Sequence, residues 1–579
     1  MFRGGKKERG MRTQRHLTGG LVGIALAMVV ALPGRAADPA LEDFKAEIDA
    51  VVSGLAPGTN GALEWVGADH FEIRRDGDTL VATIIGARLI FRADEIVRLV
   101  LDRLEIRQTG TSDGKALAFL LPKEVIFAEA DGSEAKLTLG DGRVKALIDA
   151  KSGRVRAMDV AVADARVNHP TTGTWLTVGA LAITSKLVTE PDGRWDAPTE
   201  FELKKVAFSF PQGASGGAVD RIVFSGISAG PRVAEFERLR GALAALEKDK
   251  ASSPDVRLAR LLAILPAIPS VFGTVRGATV LEGLSVRDNA GEPLASLTRV
   301  EFATGASGFD GDVAAFRFTI REDGLKLAPP LVEARLLPHR VIIDFGVENL
   351  NSAALSTLLR AATVTRSGGE AEQQQANQQI FGALAMLNPV WRIYEIAIDT
   401  QDVGAELTAE VKGTPLSPAG YTAAGDLVVR GWDALPKLAI GTPFVEYLPF
   451  LSEFAEAVKA PDGSPRLKFH IASTPLKLAM INGNDVSLLF DESEPASDQP
   501  RLLKPAEPPM QGADVKDVQR ALAAAKVPVE QDGVYRVSTA TAVARFQKQK
   551  GMNVSGVVDP VTRQALGLRA PAPRPGGRN

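Results

Sequence analysis

Histidines are the first residues to weigh for chemistry, because a zinc hydrolase needs imidazole and carboxylate ligands converging on one compact scaffold. His16, His70, His169, His339 and His470 stand far apart, with no HxxxD or HxH pairing, and read as surface or core-edge side chains. Cysteine is absent. That excludes disulfides, a thiol nucleophile, a Cys-ligated metal and a lipidated N-terminal cysteine. Gly213-Ala214-Ser215-Gly216-Gly217 has the spelling of a nucleophile elbow, but that chemistry needs a helix after the serine. PQGASGGA offers no helical pattern and reads as a loop. Paired acids such as Asp43 with Glu47, or Asp159 with Asp164, are expected by chance among 70 acidic residues. No phosphate-cradling glycine loop opens a helix. The expectation is a protein with no catalytic residue, no metal and no cofactor.

The sharpest pattern lies elsewhere, in DVKDVQRALAAAKVPVEQDGVYRVSTATAVARFQKQKGMNVSGVVDPVTRQALGL, Asp514 to Leu568. Val515, Val518, Leu522 and Ala525 recur at helical spacing after Asp514. Asp532-Gly533 supplies a turn. Ser538 is the expected N-cap of a second helix that carries Ala542, Val543 and Phe546 on one face, with Gly551 ending it. Asp559-Pro560 opens a third helix, Asp as N-cap and Pro at its first position.

Three short helices with these spacings resemble the peptidoglycan-binding type 1 domain. The carriers are VxxVQxxL (Val515, Val518, Gln519, Leu522), DGVY (Asp532 to Tyr535), TxxAVxxFQ (Thr539, Ala542, Val543, Phe546, Gln547) and VVDPVTRQAL (Val557 to Leu566). Three positions depart from the family pattern. Arg536 stands where a glycine is usual, Ser555-Gly556 replaces a second Asp-Gly, and Asp559 replaces another glycine. The resemblance implies a shallow groove for peptidoglycan. Asp532 and Gly533 would shape its turn, Tyr535 would contact sugar faces, and Arg536 and Gln547 would hydrogen-bond stem peptides. Thr539 is either a contact or a helix-start residue.

Charge bounds the partners. Lys+Arg 67 against Asp+Glu 70 gives a net charge of −3, which carries no electrostatic footprint for nucleic acid. Arg3, Lys6, Lys7, Arg9, Arg12 and Arg15 precede an apolar run, Leu17 to Leu32, then Pro33 and small residues at Gly34 and Ala36. That order is an export signal with cleavage before Ala37; the alternative is an uncleaved anchor, for which the run is short. The expected place is the periplasm or cell envelope of a Gram-negative bacterium.

Between the two ends the periodicity is mainly that of strands. From Phe71 to Phe210 alternating segments are punctuated by turn pairs at Asp76, Asp113, Asp131, Asp141, Ser152 and Asp192, the pattern of an antiparallel meander. Helical inserts follow at Val233 to Lys250, Val256 to Val271 and Asn351 to Leu387, with strands between them. A further helix, apolar and aromatic, is expected from Pro443 to Val458, with Pro449 inside it and aromatic residues on both faces. It is either a core helix or a lid over a lipid-holding groove. Final strands are expected at Arg466 to Ile471, Leu476 to Ile481 and Val486 to Phe490.

The fold class is therefore α+β: a large elongated antiparallel β-sheet domain with helical inserts, followed by a small three-helix domain of the peptidoglycan-binding kind. The expected boundaries are 1–36 export signal, 37–491 β-rich domain, 492–511 linker, 512–568 three-helix domain and 569–579 tail. In texture alone, the stretch from Leu427 to Gly483 is similar to AsmA-like envelope proteins of proteobacteria, whose curved sheets hold lipid tails. Three functions stand: a non-catalytic protein attached to peptidoglycan, a lipid-binding or lipid-transfer protein with a β-groove, or a wall hydrolase. Lipid or envelope proteins are the further partners these readings imply.

Overall fold

The computed structural model describes residues 63–568, together with Phe44 and Ile48, leaving gaps of six residues or fewer and three longer ones. Over 250–272 and 352–388 only scattered positions are described, and over 490–500 none. The export signal, most of the expected linker's first half and the 569–579 tail lie outside the described residues. The chain divides into two compact units, Met1–Leu331 with Asn351–Met386, and Val332–Leu350 with Leu387–Asn579. The single β-rich domain expected over 37–491 is thus two bodies, and the three-helix segment belongs to the second.

Every named strand pairing within each unit is antiparallel, as the turn pairs predict, because a short loop can only return the chain beside itself. In the first unit, strand Thr79–Arg92 pairs with Ile96–Thr111 from Thr79↔Thr109 to Arg92↔Ile96. Alternation sends Leu80, Ala82 and Ile84 inward before Gly86, and Ala87 and Leu89 inward after it. The phase changes at Gly86, whose φ of +63° and whose contact with the Asp69 side chain leave no room for a Cβ. Leu104, Ile106, Leu117, Phe119, Val144 and Val160 extend this core, and Phe44 with Ile48 packs into it, one helical turn apart.

Further along the first unit the sheet becomes two-faced. Ile183, Phe201, Phe224, Thr279, Phe302 and Ile320 are directly opposed across six neighbouring strands and share one face. The reverse face carries Arg221, bonded to Glu202 (2.7 Å) and Glu282 (3.4 Å), and Arg299, bonded to Glu282 (2.7 Å) and Glu301 (3.0 Å). Helix α1 (Val233–Lys248) is inserted between two of these strands, Gly216–Gly230 and Thr274–Arg287.

The second unit repeats the design. Strands Arg340–Asn351, Val390–Asp399, Gly404–Gly413, Tyr421–Arg430 and Pro465–Ser473 are neighbours in chain order. One face stacks Val341–Ile398–Ala405–Val429–Leu467, Ile343–Ile396–Leu407–Leu427–Phe469 and Phe345–Ile393–Ala409–Gly425–Ile471 in three consecutive rows. The other face pairs Arg340 with Glu395, Arg392 with Glu410, Arg430 with Asp399 and Lys468 with Asp426.

After the fourth of these strands comes helix α2 (Phe444–Ser452), which continues three residues past Pro449 and stops. Residues expected as its end, from Glu456 to Val458, lie in a strand instead, Glu456–Lys459. The expected strand at Val486 to Phe490 is replaced by a 3₁₀ turn, Ser487–Leu489. Helices α3 (Ala513–Ala524), α4 (Val537–Gln549) and α5 (Pro560–Ala565) complete the unit, at the places the sequence indicates. No helix among the described residues is long and apolar enough to cross a membrane.

Candidate functional site

The three-helix segment is built around two turns of the same construction. In the first, Gly533 has φ +80° and its N–H donates to Gln519 Oε1 at 2.7 Å. Gln519 Nε2 donates back to Asp532 Oδ1 (3.0 Å), to the Val534 carbonyl (3.1 Å) and to Thr539 Oγ1 (3.4 Å). In the second, Gly556 has φ +67° and its N–H donates to Gln547 Oε1 at 2.8 Å. Gln547 Nε2 reaches Ser555 Oγ (3.2 Å), the Val557 carbonyl (3.0 Å) and Thr562 Oγ1 (3.0 Å). Each glutamine thus clamps the turn that follows its own helix and ties it to the threonine opening the next. The amide suits this role because it alone among uncharged side chains offers two donors and two acceptor lone pairs from one plane.

This geometry corrects three site assignments. Gln547 is fully buried and holds the second turn, so it has nothing left to offer a stem peptide. Thr539 is buried and spends its hydroxyl on the Val534 carbonyl (3.3 Å) while accepting from Gln519. Tyr535 is fully buried, and its hydroxyl donates to the Gly556 carbonyl at 2.8 Å, joining the first turn to the second. Burial pushes its phenol far above the ordinary range. A sugar ring has no access to it. Gln519, which the sequence motif contains but the site reading omits, performs the first clamp. The signal available was the repeat itself, since a threonine follows each turn glycine by six residues.

Asp532 and Arg536 remain outside. They form an ion pair across the first turn, with side chains 24% and 50% exposed. The Arg536 guanidinium, the Val534 N–H and Gln519 together pull the Asp532 carboxyl down to about 2. Helix α4 starts at Val537, with Arg536 rather than Ser538 in the cap position and extended backbone there. Asp559 caps α5 as expected, accepting from Thr562 N at 2.7 Å. Asp514 lies in the first turn of α3, where Arg501 (2.8 Å) holds its carboxyl below the usual range.

Much of the segment's α4 side is occupied by its own unit, while α3 and α5 keep exposed residues such as Lys516, Arg520 and Val561. Nine of the thirteen residues of α4 are buried, far more than one stripe. One side of α4 meets α3; the other meets α2, whose Phe450, with Phe454 just after the helix, joins the same core as Val518, Leu522, Val543 and Phe546. Arg545 bonds Glu453 through two nitrogens (3.0 and 2.8 Å), and Lys548 donates to the Glu453 carbonyl at 2.7 Å. The second turn is covered too. Asn553 exchanges hydrogen bonds with the Asp485 backbone, and Val554 N donates to Asn484 Oδ1. The Phe450 ring lies against Gly556, where a Cβ would stand 2.3 Å from its Cε2. Residues 501–511, expected as linker, are also packed. Leu503 is fully buried, its carbonyl accepts from Val558 N at 2.9 Å, and Met510–Gln511 pairs with Val534–Tyr535. Of the two turns, the first faces outward and the second is sealed.

The other candidates for chemistry are dispersed. His70 lies on strand His70–Asp76 near Glu72, His339 near Asp399, and His470 bonds Asp426 at 2.8 Å. His16, His169 and Ser215 lie outside the described residues, and the chain after Ser215 enters a strand, Gly216–Gly230. Among the described residues no three His, Asp or Glu side chains are grouped to hold a metal.

Residues 511–566 match the model of the family described as "Putative peptidoglycan binding domain". No curated protein and no solved structure matches the chain.

Proposed function

We propose that the protein is an exported, non-catalytic component of the cell envelope that attaches to peptidoglycan through residues 511–566. The observation that carries this is the family match together with a folded, fully clamped three-helix core at those residues. Of the two clamped turns, the one at Asp532 to Arg536 is left outward and carries Asp532 and Arg536 at the surface, so this reading takes it as the contact surface for the polymer. Attachment is to a rigid unit rather than a tethered domain, since α2 and residues 501–511 are packed into the same core. The test is co-sedimentation of the mature chain, residues 37–579, with purified peptidoglycan. The wild type pellets, and an Asp532→Ala, Arg536→Ala double variant loses most of the bound fraction. A wild type that stays in the supernatant refutes attachment, and an undiminished variant refutes the turn as the contact. Release of soluble muropeptides during the incubation would refute the non-catalytic part.

A second reading is favoured by the sheet faces. None of the fifteen residues in the three apolar rows of the second unit carries a polar side chain. Yet Phe345, Ile396, Ile398 and Ile471 are 37–46% exposed, and Trp391 on the same face is 54% exposed. Exposed apolar surface on that scale is costly in water. The reading is that acyl chains of envelope lipid lie on this face, which offers them contact area and no hydrogen-bonding group. Organic extracts of the purified mature chain would contain diacyl lipid, and Trp391→Asp would reduce it. Lipid-free extracts end this reading without touching the first.

A further inference from the structure

On the polar face of the first unit the sheet opens into a cleft of about 740 Å³. That is within the roughly 300–1,000 Å³ of small-ligand pockets. Two adjacent rows of opposed residues line it. One runs Arg107–Ala118–Lys145–Asp159–Thr184 and the other Thr79–Thr109–Ala116–Leu147–Ala157, with Asp76 at the edge. The alanines make the depression, because the charged side chains beside them project past a floor of methyl groups.

What distinguishes the cleft is how its charges are left. On the polar faces elsewhere, opposed charges are joined into ladders, as Arg221, Glu282 and Arg299 are. Lys145 and Asp159 are directly opposed and both exposed, yet among the described residues neither enters an ion pair. Arg107 is held in place by Glu105 at 2.7 Å, so it is a positioned cation at the other side of Ala118. The cleft therefore presents an unpaired cation and an unpaired anion side by side over small apolar groups. No aromatic ring lines it, so a sugar has no stacking surface, and its charged rim is wrong for an acyl chain.

We infer that this cleft binds a short peptide carrying both a free amino group and carboxylates, Asp159 taking the amine and Lys145 with Arg107 the carboxylates. In the cell such a peptide would be the stem peptide of the wall polymer, and that identification rests on the attachment proposed above. The cleft would then be a second contact with the same polymer, on a different unit from the first.

The test is calorimetric titration of the mature chain with a free synthetic stem tetrapeptide, and with the same peptide N-acetylated on its amino groups. The peptide binds the wild type. Lys145→Ala and Asp159→Ala each weaken it at least tenfold, and both variants fold because the positions are exposed. Acetylation weakens binding to the wild type but adds no further loss in Asp159→Ala, which identifies that carboxylate with that amine. Absence of binding to the wild type, or binding unchanged in both variants, overturns the proposal. Co-sedimentation separates the two readings. Asp532→Ala, Arg536→Ala protein that fails to pellet but still binds free peptide leaves the cleft standing. Wild type that pellets but binds no peptide leaves attachment standing and overturns the cleft.

Discussion

Replacing Gln547 by alanine probes the clamp at its more buried copy. The amide makes five hydrogen bonds of 2.8–3.2 Å, and the substitution orphans the Ser555 and Gly556 N–H groups and the Val557 carbonyl. A buried polar group left unpaired costs about 1–3 kcal/mol. Three of them set a nominal range of about 3–9 kcal/mol, and a water admitted to the vacated space satisfies some of them. The expected loss is therefore about 3–5 kcal/mol, confined at first to the three-helix core. Hydrogen exchange of the mature chain, read by mass spectrometry over peptides from α3 and α4, measures it directly. Each 1.4 kcal/mol is tenfold, so protection should fall by about a hundredfold to a few thousandfold. Gln519→Ala should act in the same direction on the first turn. A loss of protection below tenfold in Gln547→Ala would mean that the turn holds its shape without the glutamine, and the clamp argument would fail.

Further outcomes follow from the packing and from the charges. Phe450→Ala should destabilise the second unit by about 3–5 kcal/mol in urea unfolding, as for other buried aromatics reduced to alanine. Gly556→Ala should also destabilise, through both the Phe450 contact and its φ of +67°. The double variant should be less unstable than the sum, because removing the ring relieves the contact but not the backbone strain. For acid, the folded Asp532 carboxyl at about 2 lies below its ordinary value of 3.8, so its contribution is complete above pH 4 and lost as pH falls towards 2. Carboxyl NMR titration should show Asp532 rising towards 3.8 in Arg536→Ala; an unchanged value would show that the Val534 N–H and Gln519 hold it alone.

Much of the fold is legible in sequence because it is local. Alternation fixes which residues of a strand share a face, so the two-faced rows from Ile183 to Ile320 follow once the register is known. Turn pairs such as Asp76-Gly77 return the chain antiparallel, and Asp559-Pro560 starts a helix by the chemistry of two adjacent residues. The three helices near the C-terminus, and the family they match, were set by spacing alone. Tertiary structure decided what spacing cannot carry. An aromatic beside a turn reads as a ligand platform until its hydroxyl is found on the Gly556 carbonyl, 21 residues away. A proline-rich stretch reads as a linker, yet Leu503 is buried against Val558. Aromatic residues on both faces of the Pro443 to Val458 segment leave a core helix and a lid both open in sequence, and in the fold Phe450 of α2, with Phe454 just after it, fills one side of the three-helix core. The cleft needs residues from Asp76 to Thr184 placed in register before it exists at all. Local propensity depends on a residue and its neighbours. Burial and partnership depend on which distant segment occupies the other side, and only the folded chain determines that.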